Sequence, residues 1–217
     1  MANPEHLDLV LQGIEAWNKF RRTQPDVQPD LSETDLSGYD FTRMDFSKTN
    51  FTGADLSDAY LLRANLEEAI LSDADLTEAD IIEANLIKAR MTNATLVMAD
   101  LSGTGMVRAN LERADLSKAN LTRTALPWGI LRKCKLIEAN LRMADLREAD
   151  LTDADLFHAN LQDTSLTETI FKNTNLLGTR NLSVSLLGKA KTLYLTQLDP
   201  EVKKEIEEDY AHLVNEV

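Results

Sequence analysis

Residues 139–161 read ANLRMADLREADLTDADLFHANL. Leucine returns at Leu141, Leu146, Leu151, Leu156 and Leu161, each with Asp or Asn directly before it and alanine two before it. A period of five suits neither common template. On an α-helix five residues turn about 500°, so successive leucines step about 140° round the axis and never form a stripe. On a flat strand an odd step sends them to opposite faces. A chain that bends about 90° at every fifth residue points every leucine at one axis, and four such units close a coil.

The register holds without insertion from Leu31 to Leu176. Its thirty positions carry twenty-three Leu, four Phe (Phe41, Phe46, Phe51, Phe171), two Met (Met91, Met106) and Ile81. Two residues earlier, eighteen of the thirty are Ala, and most others are Thr, Gly or Cys, as a second, cramped inward position demands. Repeats of this kind decide a fold before any local propensity does. Coils stacked at the spacing of paired strands, about 4.8 Å, form a rod of about seven and a half turns. Asp or Asn before each leucine sits near a corner, where a short polar side chain bonds the local backbone. With only eight glycines in the chain, the corners are expected to avoid positive φ.

The units ADLSD (54–58), ANLEE (64–68), ADLTE (74–78) and ADLRE (144–148) resemble the A(D/N)LXX motif of the pentapeptide-repeat family. The resemblance covers residues 31 to about 180. It implies an all-β solenoid, specifically a right-handed quadrilateral β-helix; the spacing alone does not give the hand. The flanks GIEAWNKFRR and KTLYLTQLDPE are also similar to those of bacterial, especially cyanobacterial, members.

Three regions follow: 1–25, an N-terminal capping helix; 26–180, the repeat coil; 181–217, a tail and second capping helix. Leu7, Val10, Leu11, Ile14 and Trp17, with Phe20 close by, lie at helical spacing over residues 4–22, with Asn3 to cap and Pro4 in the first turn. Gln24 and Pro25 stop it. Asp199 and Pro200 open the second helix, with Val202, Ile206, Tyr210 and Leu213 on one face. Helices laid over both ends hide unpaired backbone, which favours a monomer; the rival is a dimer through the last helix.

The net charge of −13 disfavours direct nucleic-acid and anionic-lipid binding and leaves basic partners open. A single cysteine, Cys134, forms no intrachain disulfide and should be buried and inert. The start of the chain does not read as an export signal, and no apolar run reaches membrane-spanning length, so a soluble cytoplasmic protein is expected.

Stepping by twenty collects each side of the rod. The side carrying Leu36, Leu56, Leu76, Leu96, Leu116, Leu136, Leu156 and Leu176 shows Asp35, Asp55, Asp58, Asp75, Glu78, Asp115, Glu138 and Asp155 against Lys118 and Lys135, a balance of −6; the others sum to −1, −1 and −2. These acids serve either the corners and solubility or the docking of a basic partner. Ile137, Phe157 and Leu177 stack outward on the same side; Ile87, Val107, Pro127 and Trp128 do so on another. The unit LPWGI (126–130) breaks the motif and is expected to bulge or kink the rod, with Trp128 outward.

Some members of the family bind DNA gyrase in place of DNA, so a DNA-mimicking binder of a type II topoisomerase is the alternative the resemblance implies. Duplex DNA carries about one charge per 1.7 Å, or about twenty over this rod, against a side of −6. Gyrase-binding members also tend to be dimers joined at their C-terminal ends, and the helix expected over the N-terminal end departs from them. His6, His158 and His212 are far apart and read as surface residues. There is no phosphate loop, nucleophile elbow or metal-spaced cluster, so no catalytic residue, metal or cofactor is assigned. The expected function is a rigid acidic rod that binds an unidentified protein, not an enzyme.

Overall fold

The computed structural model describes residues 2–215. From Asp30 to Arg180 the chain climbs in coils of twenty residues. Each five-residue unit places one residue in a parallel bridge with the residue twenty further on, as Asp35 with Asp55, Asp55 with Asp75 and Asn140 with Asn160. The walls are therefore ladders of single bridges rather than extended strands.

The five amides of one unit explain its sequence, because each needs an acceptor. In 55–59, Asp55 N–H donates back to Thr34 C=O at 2.9 Å, while Leu56 N–H and Asp58 N–H donate forward to Asp75 C=O and Thr77 C=O at 2.7 and 2.9 Å. Ala59 N–H closes the corner on Leu56 C=O at 3.2 Å. Only Ser57 N–H finds no backbone acceptor, and Asp55 Oδ1 takes it at 2.9 Å. Hence Asp or Asn before leucine.

Each corner is a four-residue turn whose third residue has positive φ and whose second does not, the type II pattern. All thirty such residues from Glu33 to Gly178 have positive φ, and only four are glycine. The expectation that the corners avoid positive φ is overturned. A left-handed residue costs about 1 kcal/mol or more, but here its N–H is also a rung to the next coil, so stacking offsets the strain.

Leucine and alanine positions line the interior, almost all fully buried. In the first coil Thr34 Oγ1 donates to Leu31 of its own corner, but where Thr replaces Ala between residues 104 and 174 its hydroxyl donates to a carbonyl of the coil below, as Thr104 Oγ1 to Ile81 at 3.1 Å and Thr124 Oγ1 to Leu101 at 2.9 Å. Cys134 Sγ does the same to Leu111 at 2.8 Å. The kink expected at 126–130 is absent, for Leu126 N–H and Trp128 N–H still reach Asp145 and Arg147 at 2.8 and 3.0 Å. Ala125 offers no side-chain acceptor, and Pro127 removes the N–H that would need one. Proline also suits the second position of a type II turn.

The N-terminal helix is two helices, α1 (Pro4–Leu11) and α2 (Ile14–Thr23), broken at Gly13, whose φ is +93°. The break turns Leu11 and Ile14 to solvent, 47% and 42% exposed, while Val10, Trp17 and Phe20 stay buried. Trp17 packs on Phe46, which meets Phe41 and Phe51 edge-on, so aromatic rings fill the end of the rod. His6, expected at the surface, is buried; its Nδ1 accepts from Asp30 N–H at 3.0 Å.

Beyond Arg180 a short helix, α3 (Val184–Leu187), inserts two residues, and the ladder resumes with Ile170 paired to Thr192 and Asn175 to Gln197. Helix α4 (Pro200–Asp209) ends before Tyr210, and a 3₁₀ turn, Ala211–Leu213, follows. Tyr210 and Leu213 thus lie past the helix expected to hold them. Leu213 is still buried, and its carbonyl accepts from Leu193 N–H at 2.7 Å. Gly188 is required by close approach, since a Cβ there would meet the Tyr210 ring at 2.4 Å.

Candidate interaction surface

The acidic side divides into two kinds of carboxylate. Asp35, Asp55, Asp75, Asp115 and Asp155 precede leucines, and each Oδ1 accepts the amide two residues on, at 3.1, 2.9, 2.9, 3.0 and 3.0 Å. Asp35, Asp55 and Asp75 also accept a Ser or Thr hydroxyl at 2.6–2.7 Å. Hydrogen bonds from Ser37 hold Asp35 below the usual carboxylate range. Partial burial would raise Asp115, but bonds from Ser117 and Lys135 outweigh it and the net shift is downward. These acids build corners.

Asp58, Glu78 and Glu138 stand in the left-handed positions instead. They are exposed, and among the described residues their side chains make no hydrogen bond or ion pair. Asp58 and Glu78 are neighbours in one column, one coil apart. The cations of this side begin only at Lys118 and Lys135, and Lys135 is already paired with Asp115 at 3.0 Å.

Further along, Phe157 is 41% exposed, with its ring edge-on to His158 at 4.0 Å, between half-buried Ile137 and Leu177. Its amide is satisfied by Asp155, so its side chain has no part in the corner. The tail reaches this region at Gly178, whose N–H donates to the Asp199 carboxylate at 3.2 Å, but leaves Phe157 open.

Trp128 lies on the opposite side, 47% exposed as its outward position implies. Its indole N–H donates to Glu148 at 2.9 Å, and Arg108 sits 5.6 Å over its ring. The structure thus keeps Trp128 apart from the acidic strip. Cys134 is buried, and desolvation pushes its thiol up to about 12. Among the described residues no group of His, Cys, Asp and Glu is arranged to hold a metal ion, and no helix is long and apolar enough to cross a membrane.

The Pentapeptide repeats profile matches in eight copies, over residues 30–61, 59–96, 96–132, 129–153 and 149–180. Among solved structures, full-length QnrB1, a plasmid-mediated fluoroquinolone resistance protein, is similar at TM-score 0.57 and 19% identity, over 82% of this chain and 98% of that one. HetL of the cyanobacterium Nostoc, involved in heterocyst differentiation regulation, is 26% identical over 83% of this chain and 92% of its own, at TM-score 0.23. Rfr23 of the cyanobacterium Cyanothece is 24% identical over 70% and 96%, at TM-score 0.29. No curated protein matches. With the profile covering most of the chain and every unit from Phe41 to Leu176 closing the same hydrogen-bonded corner, the chain belongs to the pentapeptide-repeat family.

Proposed function

We propose that the protein is a non-enzymatic binding rod of the cytoplasm, acting as a monomer, whose acidic side docks a basic protein partner. Its scaffold on this reading is the right-handed quadrilateral β-helix that the family resemblance implies. The observation that carries the function is the pair Asp58 and Glu78. Corner acids are explained by the backbone they bond, but these two repel one another at one-coil spacing and their carboxylates bond nothing among the described residues. A cation from another molecule relieves that repulsion. Phe157, with Ile137 and Leu177, supplies an apolar anchor on the same side, as aromatic groups do at interfaces.

Affinity capture from the native source, with wild type beside Asp58→Lys/Glu78→Lys and Phe157→Glu, tests this. Neither variant touches a corner hydrogen bond, so both should fold. The captured partner should fall about tenfold or more with the double charge reversal. Unchanged recovery with both variants removes the side assignment. Mimicry of duplex DNA toward a type II topoisomerase is the reading this displaces, because −6 on the acidic side is far from a duplex's charge. A supercoiling assay separates the two: inhibition of gyrase at micromolar protein would restore the mimic.

A further inference from the structure

We infer that the half of the N-terminal rim running from Asp35 to Asp40 is a docking edge for an extended basic segment of another protein, added as one more rung of the ladder. Inside the rod the N–H of the residue before each leucine position donates to the coil before it, and its C=O accepts the N–H of an inward residue of that coil, as Asp55 does with Thr34 and Leu36. The first coil has no predecessor. On half of its rim the cap replaces one: Asn3 N–H and Trp17 Nε1 donate to Asp30 and Asp45 C=O at 3.0 and 2.8 Å. His6 and Asn18 accept from Asp30 and Asp45 N–H at 3.0 and 2.8 Å, and Arg21 donates to Ser47 C=O at 2.9 Å.

Among the described residues, nothing does this at the other half. The N–H groups of Asp35 and Asp40, and the C=O groups of Asp35, Ser37 and Asp40, have no partner among the described residues. Asp35, Gly38, Tyr39 and Asp40 are all exposed. An open edge of this kind pairs with an added strand.

Charge selects which strand. Asp35 and Asp40 both face solvent, and hydrogen bonds from Ser37 and Thr42 hold them below the usual carboxylate range, so the edge stays anionic. The rod shows what a basic residue on such a rung does: Lys135, bridged to Asp115, sets its Nζ 3.0 Å from that carboxylate. Tyr39 adds a ring face. It stands where alanine normally points inward, cannot fit there, and lies 46% exposed beside Phe41, placed to receive a Lys or Arg. A second copy, at −13, would bring like charge to the edge. The proposal rests on the interaction reading above but not on its side strip.

The test uses the whole chain, ¹⁵N-labelled, and three synthetic peptides of about ten residues that repeat the corner unit with glycine at its left-handed position: one with lysine before each leucine, one with glutamate there, and the lysine peptide with N-methylated backbone. A strand has to offer both charge and amides to add an edge. The lysine peptide should slow amide exchange at Asp35 and Asp40 about tenfold or more, and the other two should not. Asp35→Asn/Asp40→Asn, which keeps the corner acceptors that Asn supplies elsewhere in the rod, should weaken binding about tenfold with the fold unchanged. Tyr39→Ala should weaken it about threefold. Absence of protection at millimolar peptide, or equal protection by the glutamate or N-methylated peptide, overturns the edge. Asp58→Lys/Glu78→Lys should leave rim binding intact. If the rim fails while those variants still lose the captured partner, only the edge is refuted; if both fail, the interaction reading falls too.

Discussion

Asp150 shows how much one corner acid does. Its carboxylate accepts from Thr152 N–H at 3.0 Å, Thr152 Oγ1 at 2.6 Å and Arg132 Nε at 2.6 Å. Partial burial alone would raise its pKa, but the bonds from Thr152 and the ion pair with Arg132 prevail and lower it. A depressed carboxylate adds stability above its unfolded value, about 3.9, and loses it as pH falls through the folded value. Asn holds the same corner at Asn110 and Asn140, through Glu112 and Arg142 N–H at 3.0 and 3.3 Å. Asp150→Asn should therefore fold and be less stable than wild type at about pH 6, with the gap closing toward about pH 3. Urea denaturation at both pH values checks this, and a constant gap would show the ionised form to be irrelevant. The left-handed corner residues give a second case. Met98 has φ +62° and is 54% exposed, so its side chain carries strain for little packing. Met98→Gly should raise stability by up to about 1 kcal/mol, read from the denaturation midpoint. The clue to this conformation was in the sequence, though not in glycine. None of the thirty residues two after an inward position is Val, Ile or Thr, the side chains least compatible with positive φ. His6 left no such clue, because its burial depends on where α1 meets Asp30.

At the scale of elements, leucine spacing revealed the coil because burial imposes the period directly, whereas the caps were only half legible. Apolar spacing runs on through Gly13, so one helix was the natural reading; the open rim beside Asp30 and Asp45 is what requires a hairpin of two. The resumed ladder was hidden for another reason. Leu193 and Leu198 keep the five-residue step, but α3 shifts them to twenty-two residues beyond Phe171 and Leu176. The N-terminal hairpin depends most on Trp17, which is fully buried, packs on Phe20 and Phe46 and satisfies Asp45 C=O. Trp17→Ala should cost about 3–5 kcal/mol. It should also bare the first coil, so that light scattering detects end-to-end association that wild type lacks. Retained stability and unchanged scattering would show that the hairpin is an appendage and not a cap.

For the molecule as a whole, one repeated corner sets both stability and surface. Because bonds between coils, with a corner Asp or Asn, satisfy most backbone amides, many outward side chains are free of structural duty, and Asp58, Glu78 and Phe157, whose side chains make no hydrogen bond or ion pair among the described residues, stand out against the corner acids. The sequence pointed to the acidic side, and the place before leucine marked the corner acids; it did not mark Asp58 and Glu78 as unpaired, because whether an outward side chain finds a partner depends on the residue twenty away, as Glu68 depends on Lys88. All of this depends on residues twenty apart being neighbours. Nuclear Overhauser contacts in the ¹⁵N,¹³C-labelled protein measure that directly. A stacked coil must give backbone contacts between residues i and i+19 to i+21 in an unbroken series, from the Asp35–Asp55 bridge to the Asn160–Arg180 bridge. A map dominated by i to i+3 and i+4 contacts across the repeats would overturn the coil, and with it the surface built on it.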